Sequence, residues 1–140
     1  MAQISIVYWS GTGNTELMAQ KVAEGVREAG QEAVVLSVDL ADVSELKKAR
    51  AFALGCPSMG AEQLEESEFE PMFTSCESKL SGKKIGLFGS YGWGDGEWMR
   101  IWEETCRNDG AVLACDIVIC NQAPDAEAQA ASAALGKALA

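Results

Sequence analysis

Five short apolar runs alternate with five stretches of helical periodicity, and this alternation restricts the fold more than any other feature of the chain. Residues 3–8 (QISIVY), 33–38 (AVVLSV), 50–56 (RAFALGC), 85–89 (IGLFG) and 111–120 (AVLACDIVIC) have the β-branched, apolar composition of strands. The last is either continuous or interrupted near Asp116. Met18, Val22 and Val26 recur at helical spacing, with Leu17, Ala19 and Ala23 widening the stripe and Gly30 as a stop. A short helix is expected over 43–48. Longer ones are carried by Phe69, Phe73, Cys76 and Leu80, by Met99, Trp102 and Cys106, and by the alanine-rich stretch 125–139. The first, third and fourth strands are apolar on both faces, which suits a parallel sheet covered by helices on each side. Right-handed crossovers then give a three-layer α/β/α sandwich. No repeat or linker divides the 140 residues, so 1–140 reads as one domain.

Charge and residue usage remove several functions. A net charge of −10 repels nucleic acid and anionic membrane alike. The chain has no histidine, which excludes Ser-His-Asp and Cys-His catalysis and any zinc site that needs imidazole. Its five cysteines are odd in number, lack C-x-x-C spacing and sit in apolar runs, so buried reduced thiols are expected rather than a disulfide or metal site. Reduced thiols suit a reducing compartment. The N-terminal residues lack the features of a signal peptide and no apolar run is long enough to span a bilayer, so a cytoplasmic location is expected.

In such sheets ligands sit beyond the carboxyl ends of the strands, where the winding direction reverses. Three glycine-bearing loops would meet there. Ser10-Gly11-Thr12-Gly13-Asn14-Thr15 joins the first strand to the first helix. Its glycines let the backbone approach a ligand, the helix start offers unpaired amides, and four side chains add neutral donors. No Gly-Lys-Ser/Thr follows, so this is no Walker A loop; Glu16 occupies the third glycine position of the dinucleotide fingerprint. With no Lys or Arg among residues 1–20, a terminal monophosphate held by neutral donors is the better reading. The alternative is a hydroxyl-rich turn that only caps a helix. The loops Ser58-Met59-Gly60-Ala61-Glu62 and Ser90-Tyr91-Gly92-Trp93-Gly94-Asp95-Gly96 supply an indole face, a thioether and close-approaching backbone, which suit a flat ring. Trp9, Trp98 and Trp102 are expected to pack in the core or on helix faces, and Tyr91 is either a lid or a packing residue. A phosphate at one end and a flat ring at the other describe a mononucleotide.

The run Val7-Tyr8-Trp9-Ser10-Gly11-Thr12-Gly13-Asn14-Thr15 resembles the phosphate loop of flavodoxins. Glu65-Glu66-Ser67-Glu68-Phe69 and Phe88-Gly89-Ser90-Tyr91-Gly92-Trp93-Gly94-Asp95-Gly96 are similar to the short-chain, clostridial-type members. The resemblance implies a five-stranded parallel sheet of order 2-1-3-4-5 with FMN at the switch point. It also implies a low-potential one-electron carrier, not an enzyme, that cycles between semiquinone and hydroquinone. Ser10, Thr12, Asn14 and Thr15 would hold the phosphate. Trp93 would stack on the outer face of the ring and Met59 on the inner. Gly60 would present a carbonyl that flips toward N5, and Glu62 would accept from N3. Gly92 and Gly94 would pass the pyrimidine side, and Asn121 and Gln122 would approach from a third loop. Ala61 stands where many relatives carry Asp, and Pro57 where they often carry Ser.

The acids Glu62, Glu65, Glu66, Glu68, Asp95 and Glu97 would surround the ring and disfavour its anionic form. They would also steer basic patches on redox partners, namely reductases and oxidoreductases otherwise served by ferredoxin. A monomer suffices for this role. Two rivals share the fold: an NAD(P)H:quinone reductase, which needs room above the ring, and a regulatory module that binds a phospholigand.

Overall fold

The computed structural model describes residues 3–11, 13–59, 63–92, 94 and 96–140, and its strands send alternate side chains to opposite sides of one sheet. The strands are β1 (Gln3–Tyr8), β2 (Glu32–Ser37), β3 (Ala51–Gly55), β4 (Lys84–Tyr91), β5 (Val112–Leu113) and β6 (Val118–Asn121). The helices are α1 (Asn14–Glu28), α2 (Val43–Lys48), α3 (Phe69–Cys76), α4 (Glu97–Asn108) and α5 (Ala126–Leu139). These strands pair in parallel throughout, in the order β2-β1-β3-β4-β5, as the resemblance implied. The register sets Ile6 between Val35 and Ala53, and Leu54 between Val7 and Leu87.

The fifth strand is interrupted. β5 pairs with the start of β4 and β6 with its end; Ala114 still donates its amide to the Ile85 carbonyl at 2.8 Å, and the chain then bends away before Val118. The pairing with β6 lengthens β4. Ser90 and Tyr91, expected in the loop after the strand, are its last two residues because Cys120 and Asn121 lie opposite them. The second strand starts and ends one residue earlier than expected, since Val38 begins a 3-10 turn. α3 stops at Cys76 and continues as a 3-10 turn, but Leu80 still closes the core.

The two flanks of the sheet are built differently. Ile4, Ile6, Ala53 and Phe88 lie under α1 and α5. These two helices meet backbone to backbone. A Cβ on Gly25 would stand 1.9 Å from the Ala133 carbonyl oxygen, and one on Gly136 2.0 Å from that of Val22. On the other flank Val7, Phe52, Leu54, Ile85 and Leu87 lie under α3 and α4. There Trp102 makes edge-to-face contacts with Phe69 at 5.4 Å and Phe73 at 5.8 Å, a favoured aromatic geometry.

All five cysteines are free thiols. Cys56, Cys76 and Cys106 are buried as expected. Cys115 and Cys120 are only half-buried, because they belong to the broken edge strand, which has no neighbour beyond it. Burial pushes the Cys56 and Cys106 thiols up to about 12, so both stay protonated near neutrality. Among the described residues no helix is long and apolar enough to cross a membrane.

Candidate functional site

The carboxyl ends of β1, β3 and β4 open onto a cavity of about 440 Å³, within the roughly 300–1,000 Å³ of small-ligand sites. Most of its exposed wall is apolar. Of the residues singled out from the sequence, Gly11, Asn14, Ser58, Met59, Ser90, Tyr91, Gly92 and Gln122 line it. Trp9 and Pro57 line it as well. Trp9 was expected to pack in the core. Its ring does touch the core edge, but it also lies over Gly11, where a Cβ would come within 3.1 Å of it. The sequence signal was available: an aromatic residue between a strand end and a glycine turn, the same context that singled out Trp93. Thr12, Gly60, Ala61, Glu62, Trp93 and Asp95 lie outside the described residues, and so do the roles expected of them.

At the β1 end the chain turns into α1 through Gly13, whose φ of +95° is open to glycine without strain. Among the described residues no side chain caps this helix. By contrast Asp42 accepts from the Ser44 and Glu45 amides at the start of α2, and Asp125 from the Ala128 amide at the start of α5. An uncapped helix start presents amide donors and partial positive charge, the ordinary setting for an anion. Ser10 contributes indirectly. Its hydroxyl accepts from the Gly13 amide at 2.9 Å, tying the turn together, and it lines a neighbouring recess rather than the cavity. Thr15, in the first turn of α1, is 1% exposed and its Oγ1 has no hydrogen-bond partner. Glu16 is turned away, accepting from the Tyr8 hydroxyl at 3.0 Å. Burial first, then this carboxylate, holds the Tyr8 phenol above its usual range.

The other end is framed by β3, β4 and the turn after β6. The Ser58 amide donates to Ser90, and Met59 and Gln63 exchange two backbone hydrogen bonds of 2.9 Å that close the loop between them. Ser58 is 3% exposed, and its Oγ also lacks a partner. Gln122 adopts φ +62°, rare for a residue with a side chain, and is held there by its amide on the Tyr91 carbonyl at 2.8 Å. Tyr91 leans on Trp98 with ring centroids 5.6 Å apart, so it packs as well as lining the cavity. Asn121 does not reach this cavity; it lines an adjacent groove beside α5. Gly94 is exposed and off the wall.

One residue grouped with the acids around the ring has a different position. Glu65 is buried, and its carboxylate accepts from the amides of Ser67, Glu68 and Phe69 at 2.8–2.9 Å and from the Ser67 hydroxyl. Burial alone would raise its pKa, but these hydrogen bonds outweigh it and hold the carboxyl at about 2. It therefore caps α3 rather than standing on a solvated face.

The open start of α1, at Asn14, and the orphaned Ser58 hydroxyl thus share one apolar cavity, and the orphaned Thr15 hydroxyl lies buried in the same helix turn as Asn14. Unsatisfied buried hydroxyls are costly unless something else fills their hydrogen bonds. The arrangement suits an elongated ligand with an anionic end and a flat apolar end. Comparison with known proteins agrees with it. The family model described as "Flavodoxin" matches residues 6–136. The flavodoxin of Clostridium beijerinckii is 47% identical over 137 residues, covering 98% of this chain and 99% of that one. The flavodoxin of Megasphaera elsdenii is 45% identical over 122 residues, 87% and 88% of the two chains. The solution structure of two-electron reduced Megasphaera elsdenii flavodoxin superposes with a TM-score of 0.88 at 43% identity, over 97% of both chains.

Proposed function

We propose that this chain, which belongs to the flavodoxin family, works as a low-potential one-electron carrier for partner proteins with basic docking patches. Flavodoxins bind FMN and pass electrons to redox partner proteins. When bound, FMN supplies two successive one-electron steps, through semiquinone to hydroquinone, and the second of these is the one assigned here. That a relative has been studied in its two-electron reduced form is in keeping with this.

The observation that carries the reading is one cavity at the carboxyl ends of β1, β3 and β4, with the start of α1 on one side and, on the other, the buried Ser58 hydroxyl, which has no partner among the described residues. Thr15, next to Asn14 of the cavity wall, would hold the phosphate together with the open α1 amides and without a cation. Ser10 shapes that turn through Gly13. Ser58, Met59, Ser90, Tyr91, Gly92 and Gln122, which line the cavity, would hold the ring and its edge, with Trp9 and Pro57 as further wall. Thr12, Gly60, Ala61, Glu62, Trp93, Gly94 and Asn121 keep the roles that the resemblance gives them. Gly11 admits Trp9 beside the ligand, since a side chain there would meet the indole.

The excess of acids, 21 against 11 bases, makes addition of negative charge to the cavity unfavourable and attracts basic partners. The protein is proposed to act as a cytoplasmic monomer with no substrate of its own. Two measurements test the function. The purified protein should show the two visible bands of oxidised flavin and quench the fluorescence of added FMN; a colourless, non-quenching protein refutes the reading. Its second one-electron potential should rise with ionic strength, because salt screens the acids. Sustained NADH oxidation by the protein alone would favour the reductase instead.

A further inference from the structure

Both limbs of the loop that carries Met59 end on one anchor. Cys56, after β3, donates its amide to Phe88 at 3.1 Å, and its carbonyl accepts from the Trp98 indole N–H at 3.1 Å. Its sulfur accepts the amide of Glu65 at 3.4 Å, nine residues on. Glu65 is 7% exposed, and its two carboxylate oxygens take four donors from the start of α3. Its own carbonyl accepts from the Glu70 amide at 2.9 Å. Between these anchors, Met59 and Gln63 pair backbone to backbone.

We propose that Glu65 is a positioning residue for the ring end of the cavity: its carboxylate through α3, and its amide through the Cys56 sulfur, fix the limb opposite Met59. The proposal rests on the FMN-carrier reading above. It gives Glu65 a part distinct from that of a charge in an acidic field. The geometry calls for this side chain in particular. A glutamine would turn an NH2 group toward donors, and an aspartate would be one methylene short of them. With that limb fixed, the ring end would lose less conformational freedom on holding reduced FMN than in a variant whose limb is loose, which would favour reduction.

The test separates position from charge in the FMN-loaded protein. Glu65→Asp keeps the charge and loses the geometry; Glu68→Gln, at an exposed neighbour, does the reverse. Redox titration at low and high salt should show the first one-electron potential of Glu65→Asp lowered. The expected size is about a tenfold fall in the preference for reduced over oxidised FMN, or about 59 mV, equal at both salts. Glu68→Gln should leave that potential within a few-fold of wild type. The ratio of FMN to riboflavin affinity in Glu65→Asp should match wild type, since the phosphate end is untouched. An unshifted Glu65→Asp potential, or a shift that high salt removes, overturns the proposal. Should Glu65→Asp lack native near-ultraviolet dichroism, Cys56→Ala removes the other tie. It should lower the potential in the same direction by less, and no change there overturns the proposal equally. A wild-type protein that takes up no FMN overturns both readings, whereas FMN binding with unshifted variants overturns only this one.

Discussion

The two flanks of the sheet support the two ends of the cavity by different means. α1, whose start opens on the cavity at the proposed anion end, is locked to α5 by contact between backbones at Gly25 and Gly136. α3 and α4, which follow the loops of the ring end, are held by aromatic side chains and by one buried carboxylate. A backbone contact has no rotamers and cannot adjust. Side-chain packing and hydrogen-bonded caps can shift by small amounts and settle again. The rigid flank thus lies behind the α1 side of the cavity, and the adaptable flank behind the side framed by β3 and β4.

The largest expected effect comes from filling the rigid contact. A helical Gly→Ala change ordinarily stabilises by about 0.8–1 kcal/mol. Gly25→Ala and Gly136→Ala should do the opposite, each costing on the order of 3 kcal/mol, read as a lower urea midpoint at unchanged slope. On the other flank Met72→Leu, which conserves volume, should cost under about 1.5 kcal/mol. Equal costs on the two flanks would erase the distinction.

Next in size is the cap on α3. The Glu65 carboxyl sits at about 2 when folded, against 4.5 for an ordinary glutamate. Its contribution is therefore complete above pH 4.5 and is lost as the pH falls toward 2. Glu65→Gln should cost about 2–3 kcal/mol at neutral pH. The gap to wild type should close over that acid window in pH-dependent urea unfolding. A gap that persists below pH 2 would mean that the loss is not one of charge-assisted bonding.

Smaller still is the anion end's own signature. Thr15→Val removes a partnerless hydroxyl while keeping its shape. The ligand-free protein should gain up to about 1 kcal/mol, while FMN affinity falls about tenfold and riboflavin affinity stays constant. Calorimetric titration with both ligands checks this. Ser58→Ala, at the ring end, should lower both affinities together, by less than Thr15→Val lowers that for FMN.

Strands and helices were legible because this fold writes them locally, whereas the order of the strands in the sheet came only from the family resemblance. β1, β3 and β4 are continuous apolar runs, and α1 shows its stripe in Met18, Val22 and Val26. The site was legible where glycines and hydroxyls crowd a single turn. What escaped depends on partners distant in the chain. Ser90 and Tyr91 are strand residues only because β6 comes alongside. Trp9 faces the cavity only because Gly11 leaves its ring room. Glu65 looks like one acid among many until the amides of α3 and the sulfur of Cys56 converge on it. The left-handed turn at Gln122 has no glycine to announce it; the Tyr91 carbonyl holds it in place.

The break between β5 and β6 has a consequence for life at high concentration. Exposed sheet margins invite neighbouring molecules to zip on and polymerise. Here one margin is cut into pieces of two and four residues, the longer offset along β4. Neither piece gives an incoming strand enough backbone to grip, so a crowded carrier of this shape is protected from assembling through that side.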